Sequence, residues 1–141
     1  MLICIDSCVF IRGVTRPGSD ARQLLDLIGA DVHVVLHRMI VMEVMRNLAK
    51  PKDVKLFFSL LQGNSPAFMV ESPIPLSLVE SYVARGLRAK GDAYIGAFAE
   101  WMRVDYLISD NRHFLRELRA DAYGLVSPPE FLALLQDKPA P

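Results

Sequence analysis

The chain has 141 residues, a length that fits one domain around a single core. Apolar residues make up 52% and mean hydropathy is +0.25, yet no apolar run approaches the roughly 18 residues of a membrane span, so the surplus apolar surface is expected to meet another protein. Lys plus Arg and Asp plus Glu are both 16, which removes any whole-chain attraction for nucleic acid and leaves only local basic clusters, such as those preceding Asp92 and following Asp110, to supply one.

The opening residues enter a strand at once, without the basic segment and cleavage site of a signal peptide, and a cytoplasmic location is expected. Leu2 to Ile5 is a continuous apolar run of the kind buried on both faces of a parallel sheet, and Asp6 ends it. Cys4 and Cys8 flank Asp6 on a segment poorly shaped for a disulfide, and His33, His37 and His113 have no zinc spacing, so reduced core thiols and no zinc are expected. Gly13 to Gly18 reads as a loop. Ser19 or Asp20 then caps a helix with Leu24, Leu25, Leu27 and Ile28 on its apolar face, closed by Gly29.

Val32 to His37 alternates as a second strand. Arg38 to Ala49 reads as a Met-rich helix stopped by Pro51, and a further helix runs from Asp53 to Leu61 before the break at Gly63-Asn64-Ser65-Pro66. Phe68 to Val70 is a third strand, and Leu76 to Leu87 a helix after two prolines. Gly91-Asp92 opens a helix whose Ala93, Gly96, Ala97 and Ala99 permit close approach to a sheet, and Tyr106 to Ser109 is a fourth strand. A short helix near His113 to Leu118, a weaker strand at Gly124 to Val126 and a helix opened by Pro128-Pro129 and running over Glu130 to Leu135 complete a single domain over residues 1–135. A mobile polar tail, 136–141, is expected beyond it. Strands alternating with helices imply a three-layer α/β/α sandwich on a parallel sheet of about five strands, whose ligands bind outside the carboxyl ends of the strands.

Asp6 and Asp110 stand at such carboxyl ends. Asp6 alone could be a helix cap, Glu43 could pair with Arg46 on the helix surface, Asp92 could answer a helix dipole, and Asp110 or Asn111 could cap the next segment. Brought together, several carboxylates repel one another and are relieved by a divalent cation. All-oxygen ligands select Mg²⁺ or Mn²⁺, which serve phosphoryl chemistry by activating water and stabilising charge on the phosphate.

Four motifs in order now carry a resemblance: an apolar strand ending in Asp6-Ser7, Glu43 in E-x-x-R-N-L, Asp92 in D-A-x-I-x-A, and Ser109-Asp110-Asn111-Arg112-His113-Phe114. The sequence resembles the PIN-domain ribonucleases, which include the VapC-like toxins of bacterial toxin–antitoxin pairs. The resemblance spans nearly the whole chain and implies strand order 3-2-1-4-5, a Mg²⁺ or Mn²⁺ site, and hydrolysis of RNA phosphodiesters. It further implies a homodimer and an antitoxin partner laid across a hydrophobic groove. By position, Asp6, Glu43, Asp92 and Asp110 are the expected catalytic residues, Asp6, Asp92, Asp110 and Asn111 the metal set, Ser7 and Ser109 supporting hydroxyls, and Arg46 and Arg112 the RNA-binding cations. The family's T-x-D-x-D-F pattern is altered here: Asn111 falls on the first acidic position, His113 on the second and Asp110 on the variable one. Either Asp110 substitutes from the adjacent position or metal is held more weakly. A PIN-like RNA-binding or regulatory module with weak or no catalysis is the alternative.

Overall fold

Ile3, Cys4 and Ile5 of strand β1 (Leu2–Ile5) have no solvent exposure, as expected of an apolar strand covered on both faces. The computed structural model describes residues 1–29, 31–62, 67–87, 91–111, 114 and 121–137. After β1 come α1 (Ser7–Thr15), α2 (Asp20–Asp26), β2 (His33–His37), α3 (Arg38–Arg46), α4 (Pro51–Leu61) and β3 (Ala67–Val70). They are followed by α5 (Leu76–Ala84), α6 (Asp92–Trp101), β4 (Tyr106–Ile108), β5 (Gly124–Val126) and α7 (Pro128–Gln136).

The five strands form one sheet in the order β3-β2-β1-β4-β5, and every pairing is parallel. Ile3 stands opposite Val34 on one side and Tyr106 on the other, so β1 is the central strand and the chain leaves it first to one side and later to the other. The gap between the carboxyl ends of β1 and β4 is where such a sheet opens a crevice. Helices flank the sheet as an α/β/α sandwich; α1 packs against α2, α3 and α4, and α5 packs against α6. Buried Phe10 meets Phe57 edge-on between α1 and α4, and Tyr106 meets Phe131 between β4 and α7.

Several boundaries differ from the sequence expectation for identifiable reasons. The sequence signals a loop from Gly13 and no element over residues 7–12, whereas α1 runs through both. Asp6 caps that helix, its carboxylate accepting from Ser7 N at 2.8 Å, and Val9, Phe10 and Val14 bury its inner face. Helix α3 ends at Arg46 because Asn47 turns out of helical geometry, its side chain donating to Glu43 O at 2.8 Å. Proline occupies the first turn of α4, which therefore starts at Pro51 and not Asp53; the Pro128-Pro129 opening expected for the last helix is found, with both prolines inside the first turn of α7 and Ser127 and Glu130 forming a reciprocal cap. Helix α7 also includes Gln136, assigned in sequence to the tail. The break at 63–66, Arg88, Arg112, the helix expected at 113–118 apart from Phe114, and residues 138–141 lie outside the described residues.

Candidate active site

Asp6 leaves β1 as the sheet ends, and its backbone N still donates to Ile108 O at 2.9 Å, tying it to the end of β4. Its side chain is held on both oxygens. Oδ1 accepts from Ser7 N, and Oδ2 accepts from Ser109 Oγ at 2.8 Å, with Cys8 Sγ 3.7 Å away. Ser109 is wholly buried at the first position past β4, so its hydroxyl is fixed by packing. Burial pushes the Asp6 carboxyl above its ordinary range, and the charges of Glu43 and Asp92 push the same way, against the hydrogen bonds from Ser109 and Ser7.

Asp92 is the first residue of α6, after Gly91 with φ at 69°, a left-handed turn that suits glycine. Small buried residues, Ala93, Gly96, Ala97 and Ala99, seat α6 close to the molecule's interior; a Cβ on Gly96 would stand 2.8 Å from the ring of buried Tyr82 on α5. Asn111 Nδ2 lies 3.4 Å from each oxygen of Asp92, while Asn111 Oδ1 accepts from Phe114 N at 3.3 Å. Glu43 projects from the exposed side of α3, whose Ile40, Val41 and Val44 are buried. Among the described residues it forms no ion pair with Arg46, whose Nε donates to Met42 O at 3.3 Å instead.

The Ser109-Asp110-Asn111 end resolves into two different roles. Asp110 is gripped by Arg12, with Nε to Oδ2 at 2.8 Å and Nη2 to Oδ1 at 2.9 Å, and Arg12 is paired further with Asp20. Both carboxylate oxygens of Asp110 are therefore engaged by a guanidinium, and it is Asn111 that reaches Asp92. The Cys8 thiol is pushed up to about 12, first by burial and then by Asp6, so in the metal-free chain it is protonated at neutral pH.

One cavity of about 880 Å³ collects these groups: Asp6, Ser7, Cys8, Glu43, Arg46, Asp92, Asp110 and Asn111 line it, with Met39, Ile40 and Ile95 as an apolar wall. Among the sequence-derived site residues only Ser109, behind Asp6, and Arg112, outside the described residues, are not in that lining. The donors are carboxylate oxygens around one partly buried acid whose charge burial disfavours, a chemistry that fits a hard divalent cation. Among the described residues no three His, Cys, Asp or Glu side chains already stand together as a ligand set. Sequence reasoning missed Arg12 and the apolar wall. The signal for Arg12 was available only through α1: once residues 7–15 are helical, Cys8 and Arg12 are four apart and share the face toward Asp110.

The sequence matches no protein-family model and no curated protein. Solved structures do match. VapBC2 from Rickettsia felis, bound to a DNA fragment from their promoter, superposes with a TM-score of 0.67 at 12% identity, over 90% of this chain and 98% of that one. PAE2754 from Pyrobaculum aerophilum gives 0.62 at 14% identity, over 98% and 91%, and FitAcB from Neisseria gonorrhoeae 0.56 at 21%, over 89% and 97%. At these identities the likeness carries the architecture, and the chain has the PIN-domain fold.

Proposed function

We propose that this chain, built on the PIN-domain fold, is a metal-dependent endoribonuclease that hydrolyses RNA phosphodiesters and acts as the toxin of a type II toxin–antitoxin pair. The observation that carries the reading is the arrival of Asp6, Glu43 and Asp92 from three separate elements in one cavity at the carboxyl ends of β1 and β4. These acids would hold Mg²⁺ or Mn²⁺, which when bound polarises the phosphoryl oxygen and lowers the pKa of water at the site.

The chain's own side chains supply the rest. Ser7 N and Ser109 Oγ fix the two oxygens of Asp6, so the carboxylate meets a ligand without reorganising. Asn111 orients Asp92 as a hydrogen-bond donor. Arg46 at the cavity rim is assigned to the RNA phosphates, as is Arg112 beyond the described residues. Met39, Ile40 and Ile95 keep one wall apolar, against which a sugar or base edge can pack. In this assignment Asp110 belongs to Arg12 and is neither ligand nor catalytic group.

The toxin reading is supported by the fold shared with VapBC2 and FitAcB, and it brings with it an antitoxin partner, a homodimer and a cytoplasmic setting. Exposed Met42, Phe58, Phe68 and Met69 give such partners apolar surface to cover. No described helix is long and apolar enough to cross a membrane. The test is cleavage of a mixed RNA substrate by purified protein in Mg²⁺ or Mn²⁺, with chelator as control. Asp6→Asn and Asp92→Asn each reduce the rate by at least about a hundredfold. Full cleavage by both variants sinks the proposal. A PIN-like RNA-binding module without turnover is the second reading, favoured by Asn111 in place of an acid; RNA binding with no metal-dependent cleavage would select it.

A further inference from the structure

Three consecutive residues past β4 contact three different partners around the cavity. Ser109 Oγ donates to Asp6 Oδ2, Asp110 accepts both arms of Arg12, and Asn111 Nδ2 faces the two oxygens of Asp92. These contacts are unequal. A bidentate guanidinium–carboxylate pair fixes the plane of both groups as well as their separation, whereas the 3.4 Å amide contacts of Asn111 hold the loop only weakly.

Arg12 is itself anchored. It sits on α1 and pairs through Nη1 with Asp20 in the first turn of α2, so its guanidinium is a strut from the α1–α2 pair to the exit of β4. It is not among the residues that line the cavity, and its described contact with the site runs through Asp110. Asn111 is set from its other side by Phe114 N on Oδ1 and by its own N on Ser109 Oγ at 3.1 Å, which leaves the amide end toward Asp92.

We propose that Arg12 is a positioning residue: by clamping Asp110 it sets the backbone of the β4 exit so that Asn111 presents its amide to Asp92 and holds that carboxylate ready for a divalent cation. The last step rests on the cation reading of the cavity given above. The clamp also pairs the charge of Asp110, so the cavity's acids gain an orienting group without an added uncompensated anion. This gives the departure from the family pattern a use: the residue in the variable position takes the clamp, and the neutral residue beside it does the orienting.

The experiment compares wild type, Arg12→Met, Asp110→Ala, Asn111→Ala and the Arg12→Met/Asn111→Ala double variant by two readouts. In metal-free protein, ¹⁵N relaxation of the Asn111 side-chain amide shows an ordered group in wild type and a freely rotating one in Arg12→Met and Asp110→Ala. Calorimetric titration with Mn²⁺ shows each single variant weakened by about tenfold and the double variant no further than Asn111→Ala, the non-additivity expected of residues acting through one another. Asp110→Ala leaves the α1–α2 contact of Arg12 in place, so it carries the test should Arg12→Met fold poorly. An Asn111 amide that stays ordered in Asp110→Ala, or Arg12 and Asn111 effects on Mn²⁺ that simply add, overturns the positioning role. Wild type that binds no Mn²⁺ removes the cation reading instead, and the amide relaxation still decides whether Arg12 positions Asn111.

Discussion

Asp6 is a helix cap and a hydrogen-bond acceptor for a buried serine, and the proposed function asks it to be a charged metal ligand as well; these roles pull against one another. As a cap and acceptor it could be neutral. Burial raises its carboxyl above the usual range, so between the unfolded and folded values the folded chain holds the proton more tightly. The stability that a protonated Asp6 contributes is present below the unfolded value and is lost as pH rises through the folded one. Above the unfolded value the metal-free protein therefore loses stability at Asp6, whose ionisation burial disfavours. Asp6→Asn keeps an oxygen for Ser7 N, turns an amide NH₂ toward Ser109 Oγ in place of an acceptor and removes the ionisable group; with the last effect the larger, the metal-free variant should melt higher than wild type at pH 7 by a few degrees. The gap should close as pH falls below the carboxylate range, where both side chains are neutral. Thermal melts in chelator at pH 3.5, 5 and 7 measure it, and a variant that gains nothing on wild type between pH 3.5 and 7 would show that ionising Asp6 costs less than its burial indicates.

At the scale of elements, the site depends on how closely α6 approaches its neighbours. Gly96 is where α5 and α6 touch, with Tyr82 ring atoms 2.8 Å from the position of an added Cβ and Tyr123 Oη 3.3 Å from it. Helix propensity alone favours Gly96→Ala by about 1 kcal/mol. The buried ring cannot withdraw, so overpacking should win and the substitution should destabilise by about 1–3 kcal/mol in urea denaturation. Because Asp92 opens the same helix, Mn²⁺ affinity should fall with it. The elements readable from sequence were those with a single dominant signal: the apolar runs of β1 and β4, the prolines before α5, and Gly91-Asp92 ahead of α6. Helix α1 was not readable because Val9, Phe10 and Ile11 suit a strand equally well and Gly13 suggests a turn. What decides for helix is the tertiary setting, with Asp6 fixed by the end of the sheet and free to cap Ser7 N.

At the scale of the molecule, the strand order places β1 beside β4, and that adjacency brings together acids separated by most of the chain. Asp6, Glu43 and Asp92 could be nominated from sequence because each breaks an apolar run or opens a helix. The division of labour between Asp110 and Asn111 could not, since neighbouring residues past a strand differ only in the direction they face, and that is set by Arg12 from α1. A cation that binds this folded arrangement and not the unfolded chain must stabilise the whole domain by mass action. At a free Mn²⁺ concentration one hundred times Kd the gain is about 2.7 kcal/mol. For a chain of this length each kcal/mol is worth about 3–5 °C, so a melting-temperature rise of about 8–13 °C is expected. Asp6→Asn starts from the higher metal-free temperature and should show almost no rise, so the order of the two proteins inverts when Mn²⁺ is added. Calcium, which prefers more ligands in a looser shell, should give a smaller shift at equal concentration. A wild-type melting temperature indifferent to millimolar Mn²⁺ would remove the divalent cation from the site, and with it the hydrolytic reading of the cavity, while leaving the fold untouched.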